Sequence, residues 1–94
     1  MYAFYYDVPS NEEIYGKVKA EIGQPEPEGL RVQMVVKHDG GLRHFAVWET
    51  KEQWDRFQQE RVRPAVARVL ASLGIPIPGD RPSLREMELV DVIS

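Results

Sequence analysis

The side chains through which this sequence could act on another molecule are concentrated in one stretch, from His44 through Trp48 to Trp54 and Phe57. His44 is the only one of them that titrates near neutrality: an imidazole has an unperturbed pKa of about 6.5 and can take or give a proton at neutral pH. It is a candidate catalytic acid or base, and the alternative is a half-buried strand histidine that only satisfies a hydrogen bond at an interface. Trp48 offers a flat amphipathic ring that can wall a site for an aromatic molecule or anchor a protein interface. Trp54 and Phe57 lie three residues apart on one apolar stripe, the spacing of a buried helix face that can also line a pocket. Gln33 and Tyr6 complete the candidate ligand-binding set, Gln33 as an amide on the face where His44 stands beside either Gln33 or Val35, and Tyr6 as a phenol that could orient a substrate.

Other chemistries have fewer residues to draw on. The chain has no cysteine, so thiolate nucleophiles, disulfides and sulfur-ligated metals are excluded. His38 and His44 are six residues apart across a turn and fall on opposite strand faces, which leaves no shared metal site. No cofactor is expected either, and the Asp39-Gly40-Gly41 glycines form a hairpin tip and not a strand-to-helix phosphate loop. Net charge is -3, with 12 basic and 15 acidic side chains spread along the chain, so no broad positive field exists to recruit nucleic acid. The arginines at 56, 61, 63 and 68 alternate with Glu52, Asp55 and Glu60, the pattern of a solvated helix face. Met1 leads into YAFYYDV without a basic leader or cleavage site, and no apolar run approaches the ~20 residues of a membrane span. A cytoplasmic protein without a membrane partner is expected.

The elements that must position these residues can be read in order. At 94 residues the chain fits one domain, 1–94. Aromatic-rich residues 2–7 read as a first strand. Ser10 with Glu13 reads as a capping box opening a helix over 11–22, with an apolar stripe of Ile14, Tyr15, Val18 and Ile22 and a stop at Gly23. Residues 30–48 hold two β-forming runs about Asp39-Gly40-Gly41, a hairpin. A two-residue tip puts Val32, Met34 and Val36 on one face with Phe45 and Val47, and this all-apolar face is expected to meet the helices. The other face carries Arg31, Gln33, Val35 and Lys37 beside Leu42, His44, Ala46 and Trp48. Thr50 with Gln53 opens a second helix, kinked or broken before Pro64 and resumed as far as Gly74. A proline-rich connector over 75–83 then leads to a last strand within 84–93.

Strand, helix, strand, strand, helix, strand is the split β-α-β pattern of a ferredoxin-like α+β fold: an antiparallel four-stranded sheet with both helices on one face. The patch of Trp48, Val35, Leu42 and Ala46, joined by aromatic residues of the first strand, is expected to form the far face. It is too apolar to stay wet, and this predicts a homodimer with sheets packed face to face.

With EGL at 28–30 leading into the second strand and VWETKEQWDRF at 47–57 crossing from strand to helix, the sequence resembles the dimeric α+β barrel superfamily. Within it the resemblance is to the small antibiotic-biosynthesis-monooxygenase-like domains. It covers most of the chain by element order and about a dozen residues by motif. It implies a homodimeric barrel, a pocket between sheet and helices, and cofactor-free oxygenation of a polycyclic aromatic molecule, with Trp48 at the family's junction tryptophan; for this chain, oxygenation or isomerisation of a hydrophobic, aromatic molecule is expected if it is an enzyme. Haem degradation also occurs in the family. The histidine that the family often places nine residues after that tryptophan is replaced here by Phe57, and the first strand has no asparagine. A reading from a different class is a non-catalytic module that uses its sheet face only to associate.

Overall fold

The computed structural model describes residues 1–76 and 83–93. Within them, β1 (Tyr2–Val8), α1 (Glu12–Ile22), β2 (Leu30–His38) and β3 (Gly41–Trp48) precede a long helical passage, and β4 (Arg85–Met87) follows it. The helical passage comprises α2 (Lys51–Phe57), a π turn (Gln58–Val62) and α3 (Arg63–Ser72). The strands form one antiparallel sheet in the order β2-β3-β1-β4, open at both edges. The chain is therefore of the α+β class, with a four-stranded antiparallel sheet and two helices.

Local sequence explains most boundaries. The hairpin tip is Asp39-Gly40, since His38 pairs with Gly41 and Lys37 with Leu42. Both tip residues have positive φ, 46° and 77°, as a type I′ turn requires, so the two-residue register holds. A bulge between Leu30 and Val32 takes Arg31 out of the ladder, and Arg31 reaches Glu49 at 3.3 Å. α1 starts one residue later than the capping box at Ser10 would place it. Asn11 is the cap, its side chain accepting from the Ile14 amide at 2.9 Å, while Glu13 turns outward to Lys17. The second capping box forms as read: the Gln53 amide donates to Thr50 Oγ1 (3.2 Å) and the Thr50 amide to Gln53 Oε1 (3.1 Å). Gly29, at φ 94°, sits against the Gln53 side chain with no room for a Cβ, so the cap and the EGL stretch fit together.

Pro64 does not break the second helix. A proline lacks the N–H and its ring crowds the carbonyl four residues back; the chain accommodates it by widening the preceding turn, with the Arg63 amide donating to Gln58 O, five residues away. The widened turn also aims Arg61 at the end of α1, where it donates to the carbonyls of Pro25 (2.7 Å), Ile22 (3.0 Å) and Gly23 (3.1 Å). Arg68 pairs with Glu21 at 2.5 Å. These two arginines tie the helices together and do not simply form a solvated face.

Two expectations are corrected. The last strand is only Arg85–Met87, paired with Tyr5 and Ala3. In that antiparallel register β4 runs off the start of β1, which begins at Tyr2, so residues beyond Glu88 pass the end of the strand they would pair with. The connector's residues 77–82 lie outside the described ones. The larger correction concerns the faces of the sheet. Tyr2, Phe4 and Tyr6 pair with Trp48, Ala46 and His44, and it is this side that packs on the helices: Phe4 lies 4.8 Å from Trp54, and Trp48 5.5 Å from Phe57, between ring centroids. The side expected to be wholly apolar, with Val32, Met34, Val36, Phe45 and Val47, faces away, and it also carries the Arg43–Asp7 ion pair. Apolarity could not choose between two apolar faces; ring volume did, because the gap between helix and sheet is filled by Phe4, Trp48 and Trp54.

Candidate functional site

One layer of rings between sheet and helices brings together five of the six candidate residues. β3 supplies His44 and Trp48 on the same face, and β1 supplies Tyr6 directly opposite His44. α2, launched by the Thr50 cap two residues after Trp48, supplies Trp54 and Phe57. Trp48 and Trp54 are 5.6 Å apart and tilted, and Trp54 is 6.3 Å from Tyr6. Gln33 is on the same side of the sheet, across from Ala46, but on edge strand β2, where it is exposed.

The two ends of this layer differ. At the Trp48 end the rings close on one another: Trp48 is 1% exposed and Phe4 fully buried, with Phe57 and Leu30 packed around them. At the His44 end, the imidazole stacks on Tyr6 at 4.8 Å with an interplanar angle of 8°, and Tyr15 of α1 meets it edge-on at 5.6 Å. Tyr15, read from the sequence as part of the α1 stripe, is the side chain that brings α1 to His44. Its position on that stripe was the signal available.

Electrostatics at this end follow from burial. His44 is pulled below the ordinary histidine pKa because the layer penalises the imidazolium, and it is neutral at pH 7. Tyr6 is pushed up to about 12 by burial, with Tyr15 adding to the shift, so its phenol stays protonated. Among the described residues three buried side-chain atoms have no hydrogen-bond partner: His44 Nδ1, Trp48 Nε1 and Gln58 Oε1. Each costs free energy that a partner would recover. Gln58, the first residue of the π turn, was not singled out from sequence, because a widened turn has no signature beyond the proline that provokes it.

Two surface clefts open among the described residues, the first away from this layer and the second touching it at Tyr6. One, of about 590 Å³, runs between the start of α1 and the hairpin tip, lined by Asn11, Glu12, Lys37 and His38. Its charges are internally matched, Lys37 to Glu12 at 2.7 Å. Beside it Arg43 forks onto Asp7 (2.7 and 3.0 Å) and donates to His38 Nε2 (3.0 Å). A smaller cleft of about 190 Å³ is lined by Tyr5, Tyr6, Asp7, Ser83 and Arg85. Among the described residues no group of three or more His, Asp or Glu could hold a metal, and no helix is long and apolar enough to cross a membrane. The chain matches no protein-family model and no curated protein.

Proposed function

We propose that the chain is a ferredoxin-like domain that pairs through its open sheet face into a homodimeric α+β barrel and holds a small, flat, hydrophobic molecule at the His44 end of its ring layer. The observation that carries the ligand reading is His44 Nδ1, a buried polar atom without a partner at this end of the layer; Trp48 Nε1 and Gln58 Oε1 are also unpartnered. Rings supply stacking surface and these atoms supply hydrogen bonds that no side chain in the fold takes up, the combination of apolar lining and few polar groups found in small-molecule sites. Tyr6 and Tyr15 flank the imidazole, Trp54 stands behind Tyr6, Phe57 packs at the Trp48 end, and Gln33 sits at the exposed rim. The strand order and the all-antiparallel pairing support the ferredoxin-like reading, and the apolar open face supports the dimer.

If the bound molecule is turned over, His44 is the group to move a proton. It is neutral, and so able to accept one, and Tyr6 keeps its hydroxyl as a donor. Cofactor-free oxygenation is the chemistry that the family resemblance suggests for such a site, and isomerisation through the same proton transfer is the alternative. The second reading, a module that only associates, is favoured by the closed packing around Trp48. Native mass spectrometry of the purified protein separates the two readings: a dimer with added non-protein mass supports the ligand site, and a bare dimer whose tryptophan fluorescence ignores a panel of aromatic compounds supports association alone. For a compound that is turned over, His44→Ala should cut the rate by about 100-fold or more; wild-type turnover in that variant would remove His44 from the mechanism.

A further inference from the structure

His38 and Arg43 meet at one corner of the open sheet face. His38 is in phase with Met34 and Val36 on β2, and Arg43 stands across from Val36 on β3, so both side chains rise from that face. The guanidinium forks onto Asp7 of β1 through Nε and Nη2 (2.7 and 3.0 Å), lies over the Tyr5 ring at 4.6 Å, and brings Nη2 to 3.0 Å from His38 Nε2. A guanidinium has only donors, so this last bond needs a lone pair on Nε2, and the imidazole that makes it is neutral with its proton on Nδ1.

The same Nε2 lies 3.3 Å from Asp39 Oδ2 at the hairpin tip. A carboxylate only accepts, so this contact becomes a hydrogen bond only when Nε2 carries a proton. One nitrogen therefore has two partners with opposite requirements, and its protonation chooses between them. The other charged groups around it are Asp7 of β1, Arg85 of β4 across from Tyr5, Lys37 bound to Glu12 of α1, and Glu13 on the cleft beside His38. Carboxylates, lysines and arginines ordinarily keep their charge between about pH 5.5 and 8, and imidazoles do not.

The consequence falls on association. With His38 neutral, the charges of Asp7 and Arg43 cancel and the three side chains satisfy one another, so another sheet can cover this corner. With His38 protonated, the face gains a cation beside Arg43, while its counter-charge on Asp39 is 90% exposed at the tip, off the strands. Covering the corner then strips water from a charge that the face itself does not balance.

We infer that His38 is a proton-operated control on pairing: neutral, it accepts from Arg43 and leaves the open face ready for a second copy; protonated, it turns to Asp39 and opposes that contact. This rests on the proposed pairing through the open face and assigns it a regulator, on the other side of the sheet from the ring layer.

Sedimentation equilibrium at pH 8 and pH 5.5, at one ionic strength, tests it. The wild-type dimer should dissociate more readily at pH 5.5, with Kd raised roughly tenfold or more. His38→Gln keeps an acceptor for Arg43 but cannot titrate, and should dimerise equally at both pH values. The chain has two histidines, and His44 is present in both proteins, so its own titration cancels in the comparison. Asp39→Asn, which a type I′ tip tolerates, removes the partner of the protonated form and should move the midpoint of the wild-type transition to lower pH. A dimer whose Kd ignores pH, a pH dependence that survives in His38→Gln, or a midpoint unmoved in Asp39→Asn overturns the inference and leaves face-to-face pairing intact. A wild-type monomer at tens of micromolar at both pH values overturns both.

Discussion

The two faces of the sheet are built from the same three long strands, and both are apolar, yet they behave oppositely. On the covered face Tyr2, Phe4 and Tyr6 stand across from Trp48, Ala46 and His44 and are sealed by Trp54 and Phe57. On the open face Tyr5 stands across from Phe45, and Met34 and Val36 remain 50% and 37% exposed. What separates them is volume and polar content. The covered face concentrates the largest rings, which alone span the gap to the helices, and it accepts one histidine and two other unpartnered polar atoms as the cost. The open face carries medium-sized side chains in a flat row, suited to another sheet. Its ionic border, Asp7 with Arg43 stacked on Tyr5 at 4.6 Å, is satisfied without any partner; the guanidinium holds the Asp7 carboxyl below the usual carboxylate range. Stability is therefore expected to reside in the first face and association in the second.

Removing the ring that closes the covered face should have the largest effect. Trp48→Ala, which empties a site 1% exposed, should cost about 3–5 kcal/mol in urea unfolding; a loss under ~1 kcal/mol would mean that the layer is not the core. The matching change on the open face, Met34→Asp, should leave unfolding of the dilute protein within about 0.5 kcal/mol of wild type, because an exposed site has little packing to lose. It should weaken dimerisation by roughly 100-fold in sedimentation equilibrium. Unfolding instead of dissociation would erase the distinction between the faces. Thr50→Ala removes half of the box that aims Trp54 and Phe57, and should cost about 1 kcal/mol, with Thr50→Ser restoring most of it.

The smallest effects are those of pH, and the two buried groups that carry them lie on the covered face. His44 binds its proton less readily folded than unfolded, so as pH falls from above about 6.5 toward its depressed folded pKa the unfolded chain takes up the proton first and stability declines. Tyr6 is the opposite case. Unfolded it ionises near 10 and folded at about 12, so stability is lost as pH rises through that window. His44→Phe should flatten the acid limb and Tyr6→Phe the alkaline one in chemical denaturation series. An acid limb unchanged in His44→Phe would assign it to surface carboxylates.

Much of the fold was legible because it is local. The Asp39-Gly40 tip requires two positive φ values, and the sequence puts there the residue pair that tolerates them. The Thr50–Gln53 box needs only a three-residue spacing, and the alternating β3 residues needed no tertiary information to place His44 and Trp48 on one face. The first cap was off by one residue because Ser10 and Asn11 are both competent and only the strand's exit decides between them. The candidate site was legible as a list of residues but not as a place. His44, Trp48, Tyr6, Trp54 and Phe57 share a layer, while Gln33, equally in phase on β2, falls at an edge that is exposed to solvent.

By itself the sequence determined the element order, the hairpin register, the start of the second helix and the absence of thiol chemistry, because each depends on backbone preferences or composition within a few residues. Tertiary structure alone decided which apolar face meets the helices, since both satisfy the hydrophobic effect and only the packing of rings from β1, β3 and α2 tells them apart. It also decided that Pro64 widens the helix where a break or kink was expected, because Arg61 and Arg68 of the widened passage reach across to α1 and hold it there. And it set the length of the last strand, since a strand can extend only as far as its neighbour, and β1 begins at Tyr2.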